Sequence, residues 1–468
     1  MKKAMAIRVP EGVKNPFKDF ELSQQTFDVI RARYIHERRT TNLPDTGAAT
    51  ATSASLILII AWPSWHLPYF TTSSSHQQSI CSTRFFGTCL FDNAMTTTMA
   101  ATEKDIPLDT GAGSFPPMDV LTATASELQG LLETGHVRSV DLVGRYLSQI
   151  EEHNHKGLKL NAMISTTPRE TLLRIAGELD REREEGRVRG RLHGIPITIK
   201  DSVMTGPEFG MPTTVGTYAL EHAVAKQNAP IVDKLIKAGA IIIGKANLST
   251  QSPYIVGGFK EGAKILDHSA PAGSSSGSAA GVAAGFAPLA LAPETDGSIV
   301  QPANRAALYG LKTTVGLLPT QGTSPTSSLT DSPGGMAKSS ADLAALIDIL
   351  ADTNYSEDLT GLWKGLRVGF VDPLLWTFSP VICDPDDELT KQQREEMAEA
   401  ISKIEKSSGE IVTKPVPFPS MDDLVLDKED ALEQLWNHDS EREWDEFLKG
   451  YENSEVKTLK DMVRFNGP

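Results

Sequence analysis

Gly194-Ile195-Pro196-Ile197-Thr198-Ile199-Lys200 is the stretch on which the fold turns. Its apolar, β-branched residues run without the alternation of a half-wet strand. That is the pattern of a strand covered on both faces. The run stops on a charge, Lys200. Upstream, Thr124-Ala125-Ser126-Glu127 has the form of a capping box, with Leu128, Leu131 and Leu132 at helical spacing behind it. Ser139 reads as the cap of a second helix carrying Leu142, Val143, Tyr146, Leu147 and Ile150 on one side. A third helix is predicted from Arg169 to Glu185, ending at Gly186. Downstream, Pro230 opens a helix with Val232, Leu235 and Ile236, and Gly239 closes it. Ala240-Ile241-Ile242-Ile243 follows as a second buried strand. Pro288-Leu289-Ala290-Leu291 reads as a third, Ser340 to Leu350 as a helix and Gly365–Val371 as a strand. Helix, turn and strand in this order predict an α/β fold, a central sheet with helices on both faces.

The flanks read differently. Residues 1–116 mix Thr/Ser/Ala tracts and clustered aromatics with no sustained period. They are expected to be a disordered or mispredicted N-terminal extension, leaving a folded domain over 117–468. The apolar run Leu56–Ala61 falls far short of the ~20 residues a membrane span needs, and it lies too deep in the chain for a secretory leader. From Met421 to Lys449 the chain is acidic yet amphipathic: Leu424, Leu432, Leu435, Trp436, Trp444 and Phe447 are spaced for helices. Its charges read as a solvated face.

Composition narrows the function. The formal net charge is -15 over 468 residues, with no Lys/Arg block, so the electrostatic footprint of a nucleic-acid binder is missing. The three cysteines, Cys81, Cys89 and Cys383, have neither metal-ligand spacing nor the even, dense count of a disulfide scaffold. A reducing, cytoplasmic compartment is the expectation. Phosphate-loop, dinucleotide, zinc and calcium motifs are absent, so neither cofactor nor metal is expected.

Three features could carry chemistry. Lys200 ends an apolar strand, and burial there would depress its pKa and make it a general base; a lone strand-end lysine is otherwise an exposed charge. Gly273-Ser274-Ser275-Ser276-Gly277-Ser278-Ala279-Ala280-Gly281 could be a flexible linker. It runs straight into Val282-Ala283-Ala284-Gly285-Phe286, however, which places the loop at a helix N-terminus. Glu294-Thr295-Asp296-Gly297-Ser298-Ile299 is a tight turn whose small residues let main-chain N–H groups converge, as an oxyanion hole requires; an ordinary turn has the same composition. The serine loop also matches the G-x-S-x-G elbow of α/β-hydrolases. That motif needs a strand before it, and Asp267-His268-Ser269-Ala270-Pro271 makes a poor one. It also needs a later histidine, and only His438 follows.

Taken together and in order, these features resemble the amidase-signature family. Arg191 through Asp201 is similar to its lysine-bearing strand, and Ala240 through Ser249 to its next strand and loop. Pro271 through Gly285 is similar to its serine-glycine signature. Glu294 through Ile299, Pro302-Ala303 and Gly310-Leu311-Lys312 complete the pattern. The turn sequence resembles that of fungal amidases and peptide amidases. The resemblance implies an amidohydrolase that cleaves linear carboxamides through an acyl-enzyme. Lys200 would be the base, Ser274 the bridging serine and Ser298 the nucleophile. The backbone amides of Thr295, Asp296, Gly297 and Ser298 would form the oxyanion hole. The implied partner is a small-molecule amide, with no nucleic acid and no membrane span.

The departures carry expectations of their own. Ala292-Pro293 replaces Gly-Thr before the turn, and Pro293 can donate no hydrogen bond. Lys312-Thr313-Thr314 replaces Lys-Pro-Thr. The stretch from Tyr254 to Pro271 looks shortened. The chain stops at Pro468, where relatives continue with more sheet and part of the substrate pocket. A truncated, catalytically impaired remnant is therefore the first alternative, and an amidotransferase A-type subunit the second.

Overall fold

The computed structural model describes residues 118–249, 272–370, 387–407, 410–413, 425–426 and 429–465. The expectations for residues 1–116, for Tyr254–Pro271 and for the three cysteines lie outside these. Helices α1 (Ala125–Glu133), α2 (Ser139–His153) and α3 (Arg169–Glu184) open the domain, with strand β1 (Met163–Thr166) between the last two. There follow β2 (Pro196–Lys200), α4 (Pro230–Lys237), β3 (Ile241–Ala246), α5 (Ser276–Ala283), β4 (Leu289–Glu294), α6 (Val300–Arg305), β5 (Tyr309–Lys312), β6 (Ser332–Ala337) and α7 (Ser340–Ala351). The pair β7 (Arg367–Gly369) and β8 (Glu410–Thr413) flanks α8 (Asp387–Lys406). Helices α9 (Ala431–Leu448) and α10 (Leu459–Phe465) come last.

Among the described residues the main sheet has six strands, in the order β1-β3-β2-β4-β6-β5. β2 lies between β3 and β4 and is parallel to both. The β1–β3, β4–β6 and β5–β6 pairings are antiparallel, so the sheet is mixed. Every residue of β2 and β3 is buried, as expected for central strands with both faces covered. Ile195, Ile197, Ile199, Ile241 and Ile243 are fully enclosed, each worth roughly 1.5–3 kcal/mol of burial before ordering costs. They form one core with Leu128 and Leu132 of α1, Leu142 and Tyr146 of α2, Leu172 of α3 and Leu235 of α4.

Local chemistry explains the helix starts. Thr124 and Glu127 make the predicted reciprocal capping box. The α7 cap, Ser339, accepts from the N–H of Asp342. The Asp342 carboxylate in turn accepts the N–H groups of Ala125 and Ser126, so α1 begins on an anion supplied by α7. One expectation is corrected. Ser139 is not the cap of α2 but its first residue; the cap is Arg138. The N–H groups of Ser139 and Val140 are taken by the Asp180 carboxylate of α3. A side chain from another helix, brought close only by folding, does the work assigned to a local hydroxyl.

Pro293 stands within β4, opposite Pro333 of β6. Two residues without N–H thus face each other, and the ladder loses donors at one register rather than two. The pairing of β4 with β2 has already ended at Leu291. The acidic C-terminal stretch is helical, as its spacing predicts, but its face is not wholly solvated. Asp439 of α9 is buried, and Phe447 packs edge-on against Trp444 and Tyr451. Tyr451 then donates its hydroxyl to the carbonyl of Thr213 at 2.8 Å, tying this segment to the loop after β2.

Candidate active site

The carboxyl ends of the parallel strands β2, β3 and β4 lie at one edge of the sheet, which is where open α/β sheets gather functional groups. Lys200 closes β2 at this edge. Its neighbours along the strand are buried isoleucines, so the amine is carried into the core and only 2% of the residue is exposed. Nζ donates to Ser274 Oγ at 2.7 Å, and Ser274 Oγ lies 3.1 Å from Ser298 Oγ. Side chains 74 and 24 residues apart therefore form one continuous line. Burial pushes the Lys200 amine down to about 7, and the carboxylates of Glu294 and Asp331 partly oppose the shift.

The main chain fixes the two serines relative to each other. Ser275 N–H donates to the carbonyl of Ser298 at 3.1 Å, and Ser249 N–H to the carbonyl of Ser274 at 3.0 Å. The loop does enter a helix, α5, from Ser276. Gly277 lets that helix approach the end of β3: a Cβ there would lie 2.6 Å from the backbone N and O of Asn247. Ser275, the serine of the elbow reading, buries its hydroxyl with no hydrogen-bond partner among the described residues, so none of them stands ready to activate it.

A turn follows β4 directly. Gly297 takes φ of 79°, which a side chain would resist. The N–H groups of Thr295, Asp296, Gly297 and Ser298 donate to no described residue, whereas those of Ile299 and Val300 are taken by Glu294. Four adjacent main-chain donors of this turn, the last belonging to Ser298 itself, thus have no partner among the described residues.

Two buried ionic groups beside this line were not singled out from sequence. Lys245 of β3 is fully buried. It donates to the carbonyl of Val203 and to Thr213 Oγ1 at 2.9 Å, and lies 3.8 Å from Asp201 Oδ1. Asp331 is buried and accepts from Thr295 Oγ1 at 2.5 Å. A lysine within an otherwise apolar buried strand was the available signal for Lys245. Asp331 had none, because its partner turn is distant in sequence. Among the described residues no cluster of His, Cys, Asp and Glu could hold a metal ion, and no helix is long and apolar enough to cross a membrane.

Comparison with known proteins places the fold. The model of the family described as Amidase matches residues 141–426. The chain belongs to the amidase-signature family. It is 31% identical over 388 residues to a Schizosaccharomyces pombe protein named "Putative amidase C869.01", covering 74% of this chain and 62% of that one. It is 36% identical over 269 residues to the A-type subunit of the glutamyl-tRNA(Gln) amidotransferase of Chloroflexus aurantiacus, covering 53% of each. The native peptide amidase of Stenotrophomonas maltophilia superposes with a TM-score of 0.59 at 29% identity, over 74% of this chain and 71% of that one. The chain thus spans between half and two thirds of the length of these two curated relatives. Its mixed sheet is that of the family.

Proposed function

We propose that this amidase-family chain hydrolyses the C–N bond of linear carboxamides, with Ser298 as nucleophile, Ser274 as proton relay and Lys200 as base. The observation that carries the reading is the unbroken Lys200–Ser274–Ser298 line, begun by an amine that burial brings near neutrality. With Nζ neutral, its lone pair can take the Ser274 hydroxyl proton while Ser274 Oγ takes that of Ser298. Ser298 Oγ then bonds to the amide carbon, and the carbonyl π electrons move to oxygen. That oxyanion is received by the N–H groups of Thr295, Asp296, Gly297 and Ser298. An amide nitrogen leaves poorly as an anion. The proton therefore returns from Lys200 to Ser274 and on to the nitrogen as the C–N bond breaks, leaving an ester on Ser298. Water cleaves the ester by the same relay. Histidine is not needed, which makes this a Ser-Lys form of triad logic.

The test is covalent labelling of the full-length chain with a fluorophosphonate, followed by peptide mapping. Label is expected on Ser298 and is lost in Lys200→Ala. Label that persists in Ser298→Ala overturns the assignment. The likeness to one component of a glutamyl-tRNA(Gln) amidotransferase favours a second reading, in which released ammonia is handed to a partner protein. Turnover of simple amides by the isolated chain supports hydrolysis. Amide cleavage that requires a co-purified tRNA-binding partner supports the second reading.

A further inference from the structure

The turn assigned to the oxyanion is fastened at both ends by buried carboxylates that lie outside the triad. Glu294, the last residue of β4, folds back over it, with Oε2 accepting the N–H of Ile299 at 2.5 Å and that of Val300 at 2.9 Å. Asp331 grips the turn from the loop before the neighbouring strand. Its Oδ1 accepts the Thr295 hydroxyl at 2.5 Å, and its Oδ2 accepts the N–H groups of Thr326 and Ser327 at 2.7 and 3.0 Å. Asp331 immediately precedes β6, whose Ser332 is paired with Glu294. One carboxylate therefore joins the start of the turn to the loop leading into the neighbouring strand.

That loop is itself anchored. Ser327 donates its hydroxyl to Asp439 Oδ2 of α9 at 2.9 Å, and Arg442 donates to Asp439 Oδ1 at 3.0 Å. Trp436 Nε1 donates to Thr330 Oγ1 at 3.0 Å. The chain of contacts runs from helix α9 through the loop and Asp331 to Thr295, ending at the first main-chain donor of the turn.

We infer that Asp331 is a positioning residue of this active site, holding the turn's donors in place through the Thr295 hydroxyl. The inference rests on the reading of Ser298 as nucleophile. Donors that stabilise a developing charge act by being fixed beforehand, so they need a support that does not move during reaction. A carboxylate with both oxygens occupied and a helix behind its loop is such a support.

The test uses the rate of fluorophosphonate labelling of Ser298 in the full-length chain, since bond formation at phosphorus also develops negative charge on oxygen. Thr295→Val removes the hydroxyl and keeps the N–H. It is expected to slow labelling by about 10- to 100-fold, the effect of displacing catalytic groups by a fraction of an ångström to one ångström. Thr295→Ser restores the hydroxyl and the rate. Asp331→Asn keeps the side-chain shape; compared at pH 9, above the Lys200 titration so that the lost charge near that amine does not enter, it is expected to slow labelling similarly and to add little on top of Thr295→Val. It carries the same test if the valine variant does not fold. Single variants that label within about twofold of wild type, or losses that multiply in the double variant, overturn the inference. If the wild-type chain is not labelled at Ser298 at all, the catalytic reading itself fails instead.

Discussion

Lys200 and Lys245 sit at the ends of neighbouring parallel strands, one residue apart in register, and both are buried out of water. Desolvation acts on both amines, lowering one to about 7 and the other to about 8. What surrounds them differs. Lys245 has Asp201 at 3.8 Å, a carbonyl and a threonine hydroxyl; Asp201 Oδ2 in turn accepts the N–H of Thr214 at 3.0 Å. Lys200 has only the Ser274 hydroxyl as its hydrogen-bond partner among the described residues. The first amine sits inside a network, with a carboxylate beside it, that joins β3 to the loop after β2. The second is an amine whose charge is only partly supported by Glu294 and Asp331, bonded among the described residues to the hydroxyl proposed as its proton relay. Burial alone does not make a base; the identity of the partner decides between a strut and a catalyst.

Substitution by methionine separates the two roles. Lys200→Met is expected to lower amide turnover by ~10⁴-fold or more, with the fold retained, since removing one member of the proposed triad would disable the unit. Lys245→Met is expected to lower turnover per folded molecule by a smaller factor, about 10- to 100-fold through displaced strand ends. Steady-state kinetics on a primary amide measure both, and equal losses would break the distinction.

Stability is expected to move in opposite directions. Lys245→Met strands the Asp201 carboxylate and should cost about 3–5 kcal/mol in urea unfolding at pH 7, part of it recovered by adding Asp201→Asn. Lys200→Met removes an amine whose desolvation nothing fully offsets and should stabilise by about 1–3 kcal/mol. If both variants destabilise alike, Lys200 is held as firmly as Lys245 and the contrast fails.

The smallest effect is the one on pH. With Lys200 as the proposed base, turnover should fall about tenfold per unit below pH 7 and level off above it. The linkage has a definite sign. The folded amine titrates near 7 and an ordinary lysine near 10.5, so between these values the unfolded chain binds the additional proton. The Lys200 contribution to stability therefore rises with pH across that window, and the Lys200→Met variant should lose this slope. A pH–rate profile without an acid limb near 7 would remove Lys200 as the base.

Much of this was legible in the chain itself. The isoleucine runs of β2 and β3 marked two central strands, because only a strand covered on both faces tolerates apolar residues without alternation. Thr124 with Glu127 is a local cap and reads as such. Ser139 misled because its helix is capped by Asp180 from α3, a contact that sequence spacing does not encode. The acidic C-terminal helix read as solvated because charge density is visible along a sequence. The burial of Asp439 against Ser327 is not.

Residue order and type determined by themselves that an apolar strand ends in a lysine, that a serine-rich loop opens a small-residue helix, and that a glycine turn precedes a serine. Local propensity and period depend on near neighbours, so these features survive in one dimension. Tertiary structure alone decided that Lys200 meets Ser274 while Lys245 meets Asp201, and that Asp331 reaches Thr295. Each of those outcomes depends on strand register and on the exclusion of water around groups dozens of residues apart. In a low-dielectric interior, the nearest polar atom determines what a buried charge becomes.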